Sequence, residues 1–410
     1  MSFRQRWISC TSGKQSKTFS KEKCNPSKIM NFILIEDTTI NFEKATLMPL
    51  AQFQELLSYP QCRWAEAASE RWRSLCNGLR DYNAPSRAFV IDTERKWELV
   101  SAVQKSIRRG DKQMALRLIS AMDSMPKEYG YFWRRLCVIA CEDVGPADDV
   151  LASFVVGCAT VFPPKKTGRQ NYDLICFLAE QMCDLSNRSR IYCSYAAIEP
   201  AAIKAELPEL SSQDKSIITA IMQRRAAVEA PENPWRAWQK KNDWRAEGML
   251  KFIGLTLPME LNRVHAPIPA YKMLFDLPSC CYDVHTRVGL RVLQRLVQGV
   301  QGAEGINEFF KKNRITGKHR ALGEVLFSVE GGRIEGELVY EPLSSLEQRL
   351  FAHQFGLTLN GWCDLRVLVQ KALEKGVVDR VREEVLQQFY GQGQLQLIAP
   401  GGGPINNTTN

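Results

Sequence analysis

The sequence predicts a mainly α-helical protein, with a helical domain over residues 94–230 and a smaller α+β domain over 231–390. Three observations predict it. From Glu94 to Ala202 apolar residues recur every three to four positions, the period of a helix with one buried face. Stops carrying Gly, Pro or Asp divide that stretch into segments of helical length. Patterns typical of strands are confined to 31–46 and 325–340.

The elements follow in order. Residues 1–30 form a basic arm without periodicity, expected to be flexible: Arg4, Arg6, Lys14, Lys17, Lys21, Lys23 and Lys28 face one acid, Glu22. Residues 31–93 form a strand and helix segment. Ile33, Ile35 and Ile40 mark its β-rich start, and Leu50 to Leu75 carry helical spacing. A helix over Arg95–Arg109 is marked by Leu99, Val103 and Ile107, stopped by Gly110, with Asp111 capping the next. Further helices are expected over Tyr131–Glu142, Asp148–Val161, Tyr172–Asp184, Asn187–Ile198 and Ser211–Val228. Pro231 to Pro234 marks a boundary. Beyond it the pattern gives a helix over Asp283–Val300, a β-hairpin or two short strands within 325–340, and helices over Ser344–Phe355 and Asp364–Lys375. A Gly/Asn/Thr-rich tail over 391–410 is expected to be disordered.

Composition narrows the function classes. Hydrophobic residues make up 45% and charged residues 24% of the 410, which excludes a mostly disordered chain. The longest apolar run, Val150–Phe162, falls short of the ~18 residues a membrane span needs. The lysines of the arm interrupt any secretion signal. The 13 cysteines are odd in number and sit singly on apolar faces, as reduced, buried thiols do. A cytoplasmic protein, with no membrane partner, is the expectation.

One block has a recognisable character. It comprises Ser101, Lys105, Ser106, Ile107, Arg108, Gly110, Asp111, Ala115 and Leu116, then Arg134, Arg135, Leu136, Ile139, Ala140, Glu142, Asp143, Val144 and Gly145. Over about 96–200 the chain resembles the helical collar after the ATPase module in the replication-associated recombination protein A family, also called maintenance of genome stability protein A. These are clamp-loader-like ATPases whose collars pack subunits side by side. The resemblance implies a collar-like fold, and a homo-oligomer or docking on replication and repair proteins. It does not carry the ATPase. No G-x-x-x-x-G-K-[ST] loop occurs, and Phe89–Glu94, the nearest approach to a Mg²⁺-binding strand, lacks that partner loop.

Four sets of residues are candidates for function. Lys105, Arg108, Arg134, Arg135, Glu142 and Asp143 form the first. Acids at a helix C-terminus oppose the macrodipole, so Glu142 and Asp143 are expected to pair with a neighbour such as Lys105 or Arg108 in a structural ion-pair knot. The second set is the arm (Lys14, Lys17, Lys21, Lys23) with the tract Trp235, Arg236, Trp238, Lys240, Lys241, Trp244 and Arg245. Aromatic faces stack on unpaired bases while cations meet phosphates, although the tryptophans also suit a core crossing and the arm a solubilising tail. The third is Asp283, His285 and Arg287. They suit acid–base work or a metal, or else Asp283 is a helix N-cap and Arg287 a surface or phosphate contact. The fourth is the basic stretch Lys311–Arg320, read as a loop that touches a nucleic-acid backbone or is simply solvated. No cofactor or bound metal is expected.

The expected function is a non-catalytic accessory protein of DNA replication, recombination or repair. Its partners would be single-stranded or forked DNA, weakly bound, and replication or repair proteins. A nucleic-acid-processing enzyme using Asp283, His285 and Arg287 is one alternative. A scaffold without a nucleic-acid role is another.

Overall fold

The structure is a computed structural model that describes residues 63–391 except 88, 162–171, 185, 187, 204–209, 230–260 and 316. The basic arm, the 31–46 segment, the Trp/Lys tract at 235–245 and the tail from 392 lie outside the described residues. Within them the protein is mainly helical.

The first half runs α1 (Arg63–Arg80), α2 (Lys96–Arg109), α3 (Lys112–Asp123), α4 (Tyr129–Ile139), α5 (Asp149–Val161), α6 (Tyr172–Met182), α7 (Ile191–Ile203) and α8 (Ser212–Glu229). The stop after α2 is as the sequence reads. Gly110 takes φ 69°, a left-handed conformation that costs glycine nothing, and its N–H closes onto Ser106 and Ile107. Asp111 then caps α3, accepting a hydrogen bond from the Met114 N–H at 3.1 Å. α4 ends in a π-type turn, Ala140–Val144, of the kind often found at functional sites. That turn carries Glu142 and Asp143.

The second half opens with three short strands, β1 (Asn262–Arg263), β2 (Met273–Leu274) and β3 (Leu277–Pro278), of which β2 and β3 pair antiparallel. It continues with α9 (Arg287–Gln298), α10 (Glu304–Asn313), α11 (Lys318–Glu330), α12 (Glu341–Gln354), α13 (Leu359–Glu374) and α14 (Val377–Tyr390). Three readings need correction here. The hairpin at 325–340 does not form. α11 continues to Glu330, and only β4 (Leu338–Val339) pairs, antiparallel with β1. The apolar run of Leu322, Val325 and Leu326 has helical spacing and is buried on one side. Lys311–Arg320 is mostly helix, comprising the end of α10, a short turn and the start of α11. Asp283 does not cap α9. Thr286 does, its Oγ1 accepting from the Gly289 N–H at 3.0 Å.

α2 is the central post. Leu99, Ala102, Val103 and Ile107 are buried against α3 and α4, while another side meets β3 and the 279–281 turn. Just ahead of it the buried Arg95 donates to the Phe275 carbonyl and the Tyr282 hydroxyl, both at 2.9 Å. At its other end, Arg188 donates to the last carbonyls, Ile107 at 3.3 Å and Arg108. α7 packs on α12, and α9 on α11 and α14. The described cysteines form no disulfide, and all but Cys193 and Cys363 are buried. Burial pushes the thiols of Cys76, Cys176 and Cys183 up to about 12, which keeps them protonated and unreactive.

Candidate functional site: a charge cluster between α2 and α11

The segment between the 279–281 turn and α9 lays Asp283 against α2. One carboxylate oxygen, Oδ2, pairs with Lys105 Nζ; the other accepts the His285 N–H at 2.9 Å and lies 3.3 Å from His285 Nδ1. Lys105 and Asp283 are both buried. Burial alone would raise the Asp283 pKa. The Lys105 ammonium and the His285 contact outweigh it and hold the carboxyl well below the usual carboxylate range. His285 itself is open, with 70% of its side chain exposed, and its ring meets Phe327 edge-on at 5.8 Å. Its Nδ1 faces Asp283, so Nε2 is the nitrogen that the carboxylate leaves for other partners. Arg287 stands exposed in the first turn of α9.

Phe327, on α11, gathers cations. Arg190, Lys105 and Arg108 lie 5.0, 5.3 and 5.4 Å from its ring centroid. Behind them, Asp143 is buried in the π-type turn. Gln104 Nε2 donates to Asp143 at 3.0 Å and to Glu142 at 2.9 Å, while Gln104 Oε1 accepts from Arg135 at 2.6 Å. The Nε atoms of Arg108 and Arg190 each lie 4.0 Å from Asp143 Oδ1. Burial, then the charge of Glu142, pushes the Asp143 carboxyl well above its ordinary value. Burial also raises the carboxyls of Glu324, Glu337 and Glu347. Ser194 donates to Glu347 at 2.8 Å. Among the described residues no three His, Cys, Asp or Glu side chains gather as a metal site.

The expected knot is therefore rearranged. Arg108 reaches ion-pair distance of Asp143, but Lys105 turns to Asp283, a partner 178 positions away. Arg135 joins through Gln104 rather than through a direct pair. Arg134 is exposed and lies 6.0 Å from the Tyr131 ring, outside the cluster. Sequence reasoning missed Gln104, Arg190, Phe327 and the raised glutamates, because contacts across that separation leave no local pattern.

A second charged feature lies at the α10–α11 corner. Lys311, Lys312 and Arg314 are exposed at the end of α10; Lys318, His319 and Arg320 form the first turn of α11, with Lys318 half-buried. Between them Gly317, at φ 71°, has open space where a Cβ would point and provides no side-chain cap for α11.

Fold and cluster together define a helical protein whose two halves meet at the buried Lys105–Asp283 pair, with the His285 imidazole and a basic corner turned outward. No protein-family model, no curated protein and no solved structure matches the chain.

Proposed function

We propose that the protein is a non-catalytic accessory factor of DNA replication, recombination or repair that holds the nucleic-acid backbone at the α10–α11 corner. The observation that carries this reading is the gathering of Lys311, Lys312, Arg314, Lys318 and Arg320 on the two sides of one short turn. Cations in the last turn of α10 suit the helix macrodipole, whereas Lys318 and Arg320 oppose it at the start of α11. Arg320 has one favourable neighbour a turn further on, Glu324, whose carboxyl its charge lowers, but the helix dipole disfavours both cations. A phosphate would gain from cations and helix amides without a side-chain cap on the same short turn. The collar-like block supports the second half of the reading, docking on replication or repair proteins or assembly with further copies.

The test is the triple variant Lys311→Glu, Lys312→Glu and Arg314→Glu, all at exposed positions. It is expected to weaken DNA binding uniformly across sequences and to flatten the salt slope by roughly 0.7–0.9 for each phosphate no longer neutralised. Unchanged affinity and slope would remove the corner from the interface.

One observation favours a second reading, a nucleic-acid-processing enzyme. Lys105, Asp283 and His285 form a line in which a buried, firmly ionised carboxylate orients an exposed imidazole, an arrangement suited to general acid–base catalysis. Under that reading His285→Ala abolishes nuclease-type turnover while the fold stays intact. Full retention of any such activity would exclude it.

A further inference from the structure

α2 is covered almost all round. From Glu98 to Arg109 every residue is buried except Ser101 and Gln104. With Trp97 these two form one stripe at i, i+4 and i+7, about 10 Å from end to end at the helical rise. The head of that stripe is aromatic. Trp97 is 47% exposed, a large apolar area to leave in water. Tyr131 reaches it from α4, edge to face, with ring centroids 5.2 Å apart and planes at 74°. A cation flanks each ring. Lys96 Nζ lies 5.2 Å from the Trp97 ring centroid while pairing with Glu128 at 3.1 Å, and the exposed Arg134 lies 6.0 Å from that of Tyr131.

From this we infer that Trp97 and Tyr131 form a stacking platform for the unpaired bases of a single-stranded nucleic acid, with Arg134 meeting a phosphate on one side and Lys96 exchanging its Glu128 carboxylate for a phosphate on the other. The inference rests on the DNA-contact reading above and sharpens it, because it names the strand state. Every base has a π-face, so stacking tolerates any sequence, and interleaved cations are the usual companions of such rings. In a duplex those faces are occupied by neighbouring bases, so only a single strand or the open arm of a fork can use the platform. The pairing of aromatic with cationic side chains also argues for this occupant. An apolar protein partner gains nothing from an exposed Arg134, whereas a phosphate does.

The experiment compares full-length protein with Trp97→Ala and Trp97→Phe. Fluorescence anisotropy is read on a mixed-sequence single strand, the matching duplex, and a single strand with several abasic sites. Equal far-UV spectra and melting temperatures confirm that the variants fold. Loss of one base stack is expected to weaken single-strand binding about tenfold for Trp97→Ala, with Trp97→Phe keeping most of the affinity and duplex binding unchanged. Abasic sites are expected to weaken wild-type binding and to add little to Trp97→Ala, since both remove the same interaction. If the wild type binds DNA and Trp97→Ala binds a single strand as tightly, the platform is wrong while the backbone contact stands. An equal loss on single strand and duplex also overturns it. If the wild type binds neither, the underlying reading falls and the platform with it.

Discussion

Replacing Lys105 with methionine is the most informative test of the junction between the two halves. Its partner, Asp283, sits at the start of the segment that carries His285 and leads into α9. The side chains of Lys105 and Asp283 are only 7% and 3% exposed. Removing one member of such a pair leaves a buried charge without its counter-ion, which costs about 3–5 kcal/mol. Protonation of Asp283 limits that cost. Without the ammonium the strongest influence lowering that pKa is gone, so burial, now opposed only by His285, moves it upward. Expected at pH 7 is a loss of about 3 kcal/mol, read by urea unfolding followed by circular dichroism. A double-mutant cycle with Asp283→Asn is expected to show a coupling of about 2 kcal/mol, because the second change removes the stranded charge. The sign of the pH dependence follows. The wild-type pair has a depressed folded pKa, so its contribution is complete above the ordinary aspartate value near 4 and is lost as pH falls below it. The gap between wild type and Lys105→Met therefore narrows on acidification. A loss under about 1 kcal/mol, or a coupling near zero, would refute the claim that this pair ties α2 to the 279–286 segment.

Two further outcomes follow from the same region. Gly289→Ala would place a Cβ 1.8 Å from the Asp283 carbonyl oxygen, a backbone atom, so destabilisation of about 3 kcal/mol or more is expected in thermal unfolding; a normal melting temperature would contradict the close packing of α9 there. The Glu347 carboxyl is raised chiefly by burial, so its folded pKa exceeds its unfolded one and stability falls as pH rises through that window. Glu347→Gln, which still offers an oxygen to Ser194, is expected to gain stability relative to wild type at pH 8 and to match it near pH 4; parallel melting curves across that range would show the burial penalty to be absent.

The parts of this structure that are legible in the sequence are those with local causes. Gly110 and Asp111 sit side by side and end one helix while starting the next, so the α2–α3 turn can be read directly. The capping of α9 is harder. Asp283 and Thr286 are both good capping residues three positions apart, and only the ion pair with Lys105, made across the fold, assigns Asp283 elsewhere. The segment 325–340 misleads because a short apolar run fits a strand or a buried helix equally well. The basic stretch 311–320 reads as a loop from its charge, although Lys and Arg are good helix formers. At the candidate site, the need of Glu142 and Asp143 for cations follows from helix electrostatics. Their particular neighbours Gln104 and Arg190 do not, since each depends on how α2 and α7 pack around the π-type turn. Trp97 and Tyr131 give no signal either. In sequence an aromatic at helical spacing reads as core, and only packing leaves Trp97 outside.

The central claim, contact with DNA through phosphate-binding cations, is tested most directly by fluorescence anisotropy of labelled single-stranded and forked DNA across a salt series, using the full chain and a form beginning at Asn31. The account predicts binding at low salt whose log K falls linearly with log salt concentration, weakened without the arm but still present through the α10–α11 corner. Absence of binding at low salt, or binding indifferent to salt, would contradict it.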